Sequence, residues 1–491
     1  MKINMQTALK KRASGVLLHI SSLPGPGIQG NFNQDAYRFI DFLCASGFSY
    51  WQILPTGPTD NSFSPYQSSS AFAGNSLFIS LEKVADMGLL TPDQSTATSR
   101  TTHHRCLKQA FSNFTHAQYD IWHAEFQLFC QQEQHWLRAY ATFSAFKQHF
   151  DGAPWYEWPE ALRTRDPLAL DALSAQIKNE IDFFCFEQWL YDRQWTELNA
   201  YARSQGVALI GDMAIFVAHD SADVWQQPAL FQLNKHGQLL AVAGVPPDYF
   251  SAEGQRWGNP LYAWERMLAD DFHWWVQRIN HLLRYVPLIR IDHFRGFEAC
   301  WEIPAQESTA IHGHWHKSPG KKLFKRLAKD HACLPIIAED LGLITPEVIT
   351  LRDAFKLPGM KVLQFAFDSD NHNPYLPHNH VQNCVVYTGT HDNNTSLGWY
   401  NALSPHEKER VNDYLGHPKD AMPWPLIHCA LASVAQLAIM PFQDLLSLDA
   451  THRMNTPGTC EGNWHWRFDW EQLASNLSTR CRQLNNLYGR Q

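Results

Sequence analysis

Three acidic residues each follow an apolar run: Asp292 in RIDHFRGF, Glu339 in IIAEDLG and Asp392 in YTGTHDNN. A carboxylate that closes an apolar strand is poorly placed for a barrel interior but well placed at the open mouth, where strand ends converge. Two such groups can break and remake glycosidic bonds if one is ionised as nucleophile and the other protonated to serve the leaving oxygen. Arg290 stands two residues before Asp292. The period of two along a strand puts both side chains on one side, where the guanidinium would hold the carboxylate ionised. For Glu339, the adjacent Asp340 and the charge of Asp292 would both favour the protonated form. Any one such residue is more often a helix cap, a turn former or an ion-pair partner. Three of them behind three strands make a site.

The elements that must carry them are legible as short β-rich runs alternating with helical patterns. The runs are GVLLHISSL from Gly15, YWQILPTG from Tyr50, ALIGDMAIFV from Ala208, LIRIDHF from Leu288, LPIIAED from Leu334, GMKVLQFAF from Gly359, CVVYTGTHD from Cys384 and LAIMPFQDLL from Leu437. Eight near-continuous apolar strands, each followed by a helical segment, predict an α/β fold of the (β/α)8 TIM-barrel kind, with a doubly wound open sheet as the competing architecture. The spacing is uneven. Residues 59–207 read as a largely helical insertion subdomain between the second and third strands, with HAEFQLFCQQEQHWLRAYATFSAF and EIDFFCFEQWLYDRQWTELNAYARSQ as its helices. Residues 218–287 form a second long insertion, containing the Gly/Pro-rich loop AGVPPDYFSAEGQRWGNP. Long connections at the C-terminal face are where barrels build sites. After the eighth strand only a helix-like tail from Asp469 to about Leu487 remains, which leaves no room for a C-terminal β domain.

Bulk properties narrow the partners. The chain has 491 residues, 45% hydrophobic and 18% charged, enough apolar material for one large core or two ordinary ones, and a net charge of −8 with scattered Lys and Arg. No basic stripe is available for nucleic acid or an anionic membrane, and no apolar run approaches a membrane span. The early basic stretch is followed by too short an apolar run for a signal peptide, so a cytoplasmic location is expected. The ten cysteines are dispersed without a CxxC pair and read as reduced thiols. Aromatic content is high, with 19 Trp, 16 Tyr and 29 Phe. It suits either a carbohydrate cleft, where C–H faces of sugars stack on rings, or a large core.

A metal hydrolase is the alternative raised by His312, His314 and His316 in HGHWH and by His378 and His380. Their alternation is that of strand ligands, yet they fall between the predicted elements and have no carboxylate close in sequence, so they read as exposed loop histidines and no metal or other cofactor is expected.

The longer motifs SPYQSSSAFAGN, GDMAIFVAHDSADVW, AGVPPDYFSAEGQRWGNPLY, IRIDHFRGF, IIAEDLGLITPEV, LPGMKVLQFAF, YTGTHDNNTSLGW and RMNTPGTCEGNW together resemble the 4-α-glucanotransferases known as amylomaltases or disproportionating enzymes, which are relatives of the α-amylases. The resemblance spans nearly the whole chain and is weakest from about residue 85 to 195. It implies a barrel lacking the C-terminal β domain, α-glucan and maltooligosaccharide donors and acceptors, and a retaining mechanism. By motif it implies Asp292 as nucleophile, Glu339 as acid/base and Asp392 as the carboxylate that grips the reacting sugar. Arg290 would support the nucleophile, and His391 and Asp212 would stand around the same sugar. Tyr66 and Trp257 would be aromatic platforms, and Asp248 and Asn259 polar groups of cleft loops. Asn394 stands where the family commonly has a second acid, and Met213-Ala214 where a Pro is usual. Transfer as opposed to hydrolysis by an amylase-type enzyme rests on the resemblance. A glucan-binding protein without activity is disfavoured by the three intact carboxylates. Chain-length preference and oligomeric state are not written in these residues.

Overall fold

The computed structural model describes residues 8–115, 120–247, 251–459 and 461–491. Twelve strands occur among them: β1 (Ala13–Leu17), β2 (Tyr50–Gln52), β3 (Ala208–Met213), β4 (Ala241–Val245), β5 (Gln255–Pro260), β6 (Leu288–Ile291), β7 (Ala299–Pro304), β8 (His314–Lys317), β9 (Ile336–Ala338), β10 (Gly359–Val362), β11 (Cys384–Tyr387) and β12 (Leu437–Pro441). Eight of them close a parallel barrel in the order β1-β12-β11-β10-β9-β6-β3-β2. These are the eight runs expected from the sequence, but shorter. The third run ends at Met213 instead of Val217, and the second at Gln52.

Barrel strands such as Leu288–Ile291 are buried along their whole length, which is why they lack polar alternation. One set of side chains, including Leu17, Ile210, Leu288, Ile337, Val385 and Ile439, fills the barrel interior. The alternate set, including Trp51, Ile289, Ile291 and Val386, packs outward against helices. The helix Gln34–Ala45 shows how the outer layer forms. Asn33 caps it by accepting from the Asp35 N–H at 3.0 Å, and Ala36, Phe39, Ile40 and Leu43 form its buried stripe. At the base of the barrel, the fully buried Arg490 donates to the carbonyls of Ala13, Ala430, Leu431 and Ser433.

Residues between β2 and β3 are mainly helical, ending in the 27-residue helix Lys178–Ser204. Two buried glutamines on that helix hold the loop after β2. Gln188 exchanges hydrogen bonds with Gly74 N–H and C=O at 2.8 and 2.9 Å, and Gln194 does the same with Ser80 at 2.8 and 3.1 Å. Each amide thus satisfies backbone groups that would otherwise be stranded in the core.

Two expectations need correction. The Gly/Pro-rich stretch after β3 is not simply loop, because QRWGNP is strand β5 and joins an antiparallel sheet of order β5-β4-β7-β8. Half of that sheet comes from residues after β6, so the pairing of β4 with β7 that joins its halves is between segments far apart in sequence. The HGHWH histidines also do not all lie between elements. His314 and His316 are on β8, and the carboxylate that the local sequence lacked, Glu302, faces them from β7. His378 and His380 are engaged instead with Tyr414 and Ser433. All nine described cysteines are free; Cys460 lies outside the described residues.

Candidate active site

Neighbouring barrel strands set the register of the site. Asp212 on β3 pairs with Arg290 on β6, and Ile291 pairs with Ala338 on β9. Asp292 and Glu339 are therefore the first residues beyond two adjacent paired strands, and the Glu339 N–H donates to the Ile291 carbonyl at 3.1 Å. The carboxylates start the loops and do not close the strands.

Arg290 is 5% exposed at its side chain and divides its fork between two acids. Nη1 donates to Asp212 at 2.8 and 2.7 Å, and Nη2 donates to Asp292 Oδ1 at 2.9 Å. The Tyr66 hydroxyl donates to Asp212 Oδ2 at 2.7 Å, and the Met213 N–H donates to its Oδ1 at 2.9 Å. The Asp212 side chain is fully buried, whereas that of Asp292 keeps 30% exposure. This contrast separates their parts: Asp212 is saturated and anchors the guanidinium, and Asp292 has an oxygen free to meet a ligand. A rigid planar fork can bridge two carboxylates in this way and an ammonium cannot.

Glu339 accepts from the His293 N–H at 2.6 Å and the Leu341 N–H at 3.2 Å. Its pKa is nonetheless pushed up to about 8, by burial first and then by the charge of Asp292, against the opposing pull of Arg290. From its place in the sequence Asp340 is expected to act on Glu339 as Asp292 does. In the structure Asp340 turns away to Arg352 and to the Met360 N–H, so it is the smallest contributor. His293 adopts a left-handed conformation with φ 51°, which aims its N–H at Glu339. Burial lowers the pKa of its imidazole to about 4, so the ring is neutral. Nothing in the residue type announced this backbone role.

Asp392 lies five positions past β11, with 45% of its side chain exposed. Asn455 donates to its Oδ1 at 2.7 Å, and Arg453 to its backbone carbonyl at 2.9 Å. Both come from the loop after β12, within the RMNTPGTCEGNW motif. His391 is buried beneath, with its Nε2 at 3.4 Å from Asp392 Oδ2 and its ring stacked on Tyr66 at 5.3 Å between centroids. Trp464 closes on both rings at 6.0 and 5.9 Å. Tyr66, with its phenol shifted well above the usual range by burial and then by Asp212, also feels the charges of Asp292 and Asp392. It thus stands close to Asp212, Asp292 and Asp392 together.

Trp257 on β5 meets the His293 ring edge-on at 4.8 Å, so the second sheet carries an aromatic face to the residue after Asp292. Asn259 on the same strand is buried, with its amide donating to the Val217 carbonyl at 2.9 Å, a contact that ties the loop after β3 to β5. Asp248 lies outside the described residues. Asn394 does not face Asp392, since its buried Oδ1 lies over Gly398 of the helix Ser396–Ala402.

The family model described as 4-alpha-glucanotransferase matches residues 18–473 of this chain. A 4-alpha-glucanotransferase of Thermus thermophilus is 46% identical over 489 residues, covering 96% of this chain and 98% of the relative. The chloroplastic/amyloplastic 4-alpha-glucanotransferase of Solanum tuberosum is 42% identical, covering 98% of this chain and 87% of the relative. Among solved structures, the amylomaltase from Streptococcus agalactiae in complex with acarbose superposes with a TM-score of 0.94 at 37% identity, covering 98% of this chain and 100% of that one.

Proposed function

The chain belongs to the 4-alpha-glucanotransferase family, and from that premise we propose that Asp292, Glu339 and Asp392 carry the transfer of α-1,4-glucan segments between maltooligosaccharides by retaining double displacement. Asp292, held by Arg290, attacks the anomeric carbon. Glu339 enters protonated, gives its proton to the departing glycosidic oxygen, and then as carboxylate takes one from the acceptor hydroxyl. Asp392, braced by Asn455, holds hydroxyls of the reacting sugar and favours its oxocarbenium-like form. His391, Tyr66 and Trp257 line the sugar, and Asp212 acts through Arg290 as a positioning residue. Asn259 serves the same cleft by holding the loop after β3.

The observation that carries this reading is the opposite treatment of two adjacent carboxyl groups: one tied to a guanidinium, the other driven toward its neutral form. That asymmetry is what a nucleophile and an acid require. The acarbose bound by the streptococcal relative supports a carbohydrate in the corresponding cleft. Segments 59–207 and 218–287 are, in this reading, insertions of one catalytic unit that wall the cleft, since Tyr66 comes from the first and Trp257 from the second. No described helix is long and apolar enough to cross a membrane, and reduced cysteines support a cytoplasmic location.

Incubation with maltotriose tests the proposal. A transferase yields glucose together with oligomers longer than the substrate, because a bound sugar hydroxyl captures the glycosyl-enzyme before water does. Products shorter than the substrate alone would refute it.

A further inference from the structure

The hairpin β7–β8 places Glu302 opposite His314 and Cys300 opposite His316, so the two imidazoles and the carboxylate share one face of the small sheet. Trp301 and Trp315 pair on the other face, 5.1 Å apart, and Arg295 covers Trp315. One ligand atom from each of Glu302, His314 and His316 lies within 4.8 Å of the others. His316 Nδ1 is 3.4 Å from Glu302 Oε2, and His314 Nε2 is 3.9 Å from Glu302 Oε1. Ligands at about 2.0–2.2 Å from a tetrahedral zinc ion stand about 3.4 Å apart, so the face needs only small rotamer changes to close on a cation.

A second observation points the same way. Glu302 Oε2 is withdrawn from solvent and takes no hydrogen bond, an orphan acceptor beside the exposed imidazoles of His314 and His316. Histidines two apart on a strand with an acid across the ladder supply two nitrogens and one oxygen, the donor set of an open divalent site. We propose that Glu302, His314 and His316 bind a divalent transition-metal cation of the zinc type, with water completing the coordination on the exposed side.

Two other groups of metal-ligand type are less able to do so. Glu133 near His135 and His281 already accepts from Trp136 Nε1 at 2.6 Å and pairs with Arg284, while His281 Nε2 is spent on the Phe72 carbonyl. Glu409 and Asp413 on the helix Pro405–Leu415 and His417 just past its end are all exposed, with no withheld oxygen among them. The hairpin cation would not touch the reacting sugar. Its effect would be to pin the edge strand of the sheet whose opposite edge holds Trp257.

The test is zinc titration of the chelator-stripped, full-length protein by calorimetry, with cobalt(II) absorption reporting the ligand set. Expected are one equivalent of zinc bound, a visible cobalt spectrum of four-coordinate type, and at least a tenfold loss of affinity in each of His314→Ala, His316→Ala and Glu302→Gln. Glu302→Gln keeps the hairpin's shape and decides the matter should removal of an imidazole disturb it. Zinc should also raise the melting temperature of the wild type and not of the variants, while metal-free transfer from maltotriose stays at the wild-type rate in all of them. Absence of binding, or binding that survives unchanged in the three variants because thiols or another cluster hold the ion, would overturn the proposal.

Discussion

Arg290 is the most informative residue to change, because its two arms have separable tasks. In Arg290→Lys the charge remains, but one ammonium cannot reproduce two contacts to Asp212 and a third to Asp292. Asp212 is the more deeply buried partner and will retain the ammonium, so the contact to Asp292 is the one lost. A hydrogen bond between charged groups is worth about 1.5–3 kcal/mol. If it is realised as the nucleophile is aligned, kcat falls about 10- to 150-fold. Arg290→Met removes the charge as well. It strands Asp212 in the core, a change that costs about 3–5 kcal/mol when a buried pair is broken, and the melting temperature drops. It also deletes the cation of Arg290, which opposes the upward shift of Glu339, so the alkaline limb of kcat/KM moves above its wild-type position near pH 8, whereas in Arg290→Lys it stays in place. Rates of glucose release from maltotriose between pH 6 and about 10, paired with thermal melts, read out all three effects. A lysine variant within threefold of wild type, or a methionine variant whose limb moves to lower pH, would show that Arg290 only holds the barrel together.

The remaining expectations concern its neighbours. Because Glu339 must start protonated and its pKa is raised to about 8, kcat/KM is full below that value and is lost as pH rises through it; an enzyme gaining activity across that range would contradict the assignment. Glu339→Gln should slow transfer from maltotriose by about 10²- to 10⁴-fold, yet slow reaction of α-glucosyl fluoride far less, since fluoride departs without general acid help. Asn455→Ala removes the donor at 2.7 Å from a half-exposed carboxylate, a loss of about 1 kcal/mol that should lower kcat about fivefold with the fold intact. Trp257→Ala should raise KM by about tenfold, from about 1.5 kcal/mol of lost apolar contact, with a smaller change in kcat.

Much of this was legible in the sequence, for identifiable reasons. Parallel barrel strands are buried on both faces, so all eight barrel runs stand out as apolar, and the acids that follow them mark the mouth. Strand ends were overextended where apolar residues continue past the ladder, as in Ala214–Val217, whose side chains pack on the insertion and whose Ala214 and Ile215 carbonyls go to Arg278. The small sheet escaped detection because β5 reads as QRWGNP, rich in turn formers, and because the pairing that joins its two halves, β4 with β7, crosses β6. Glu302 could not be matched to His314 and His316 for a separate reason. The local sequence shows the two histidines but not the antiparallel ladder that brings an acid to them. His293 was invisible as a functional group because its contribution is a backbone N–H turned by a left-handed φ. Asn455 and Trp464 were invisible because they reach Asp392 and His391 through tertiary contact from another loop.

Arg490 and the β1–β12 seam bear on how the polypeptide is made. Strand β1 gains its second neighbour only when Leu437–Pro441 arrives, and the hydrogen bond from Arg490 to Ala13 joins positions 477 apart in the chain. On the ribosome, the first strand must therefore wait with one edge open until Leu437–Pro441 has been made, offering an apolar ribbon to any passing strand. Native closure becomes a late event set by the arrival of that distant segment, so agents that shield nascent chains should influence yield more than substitutions that tune the finished barrel.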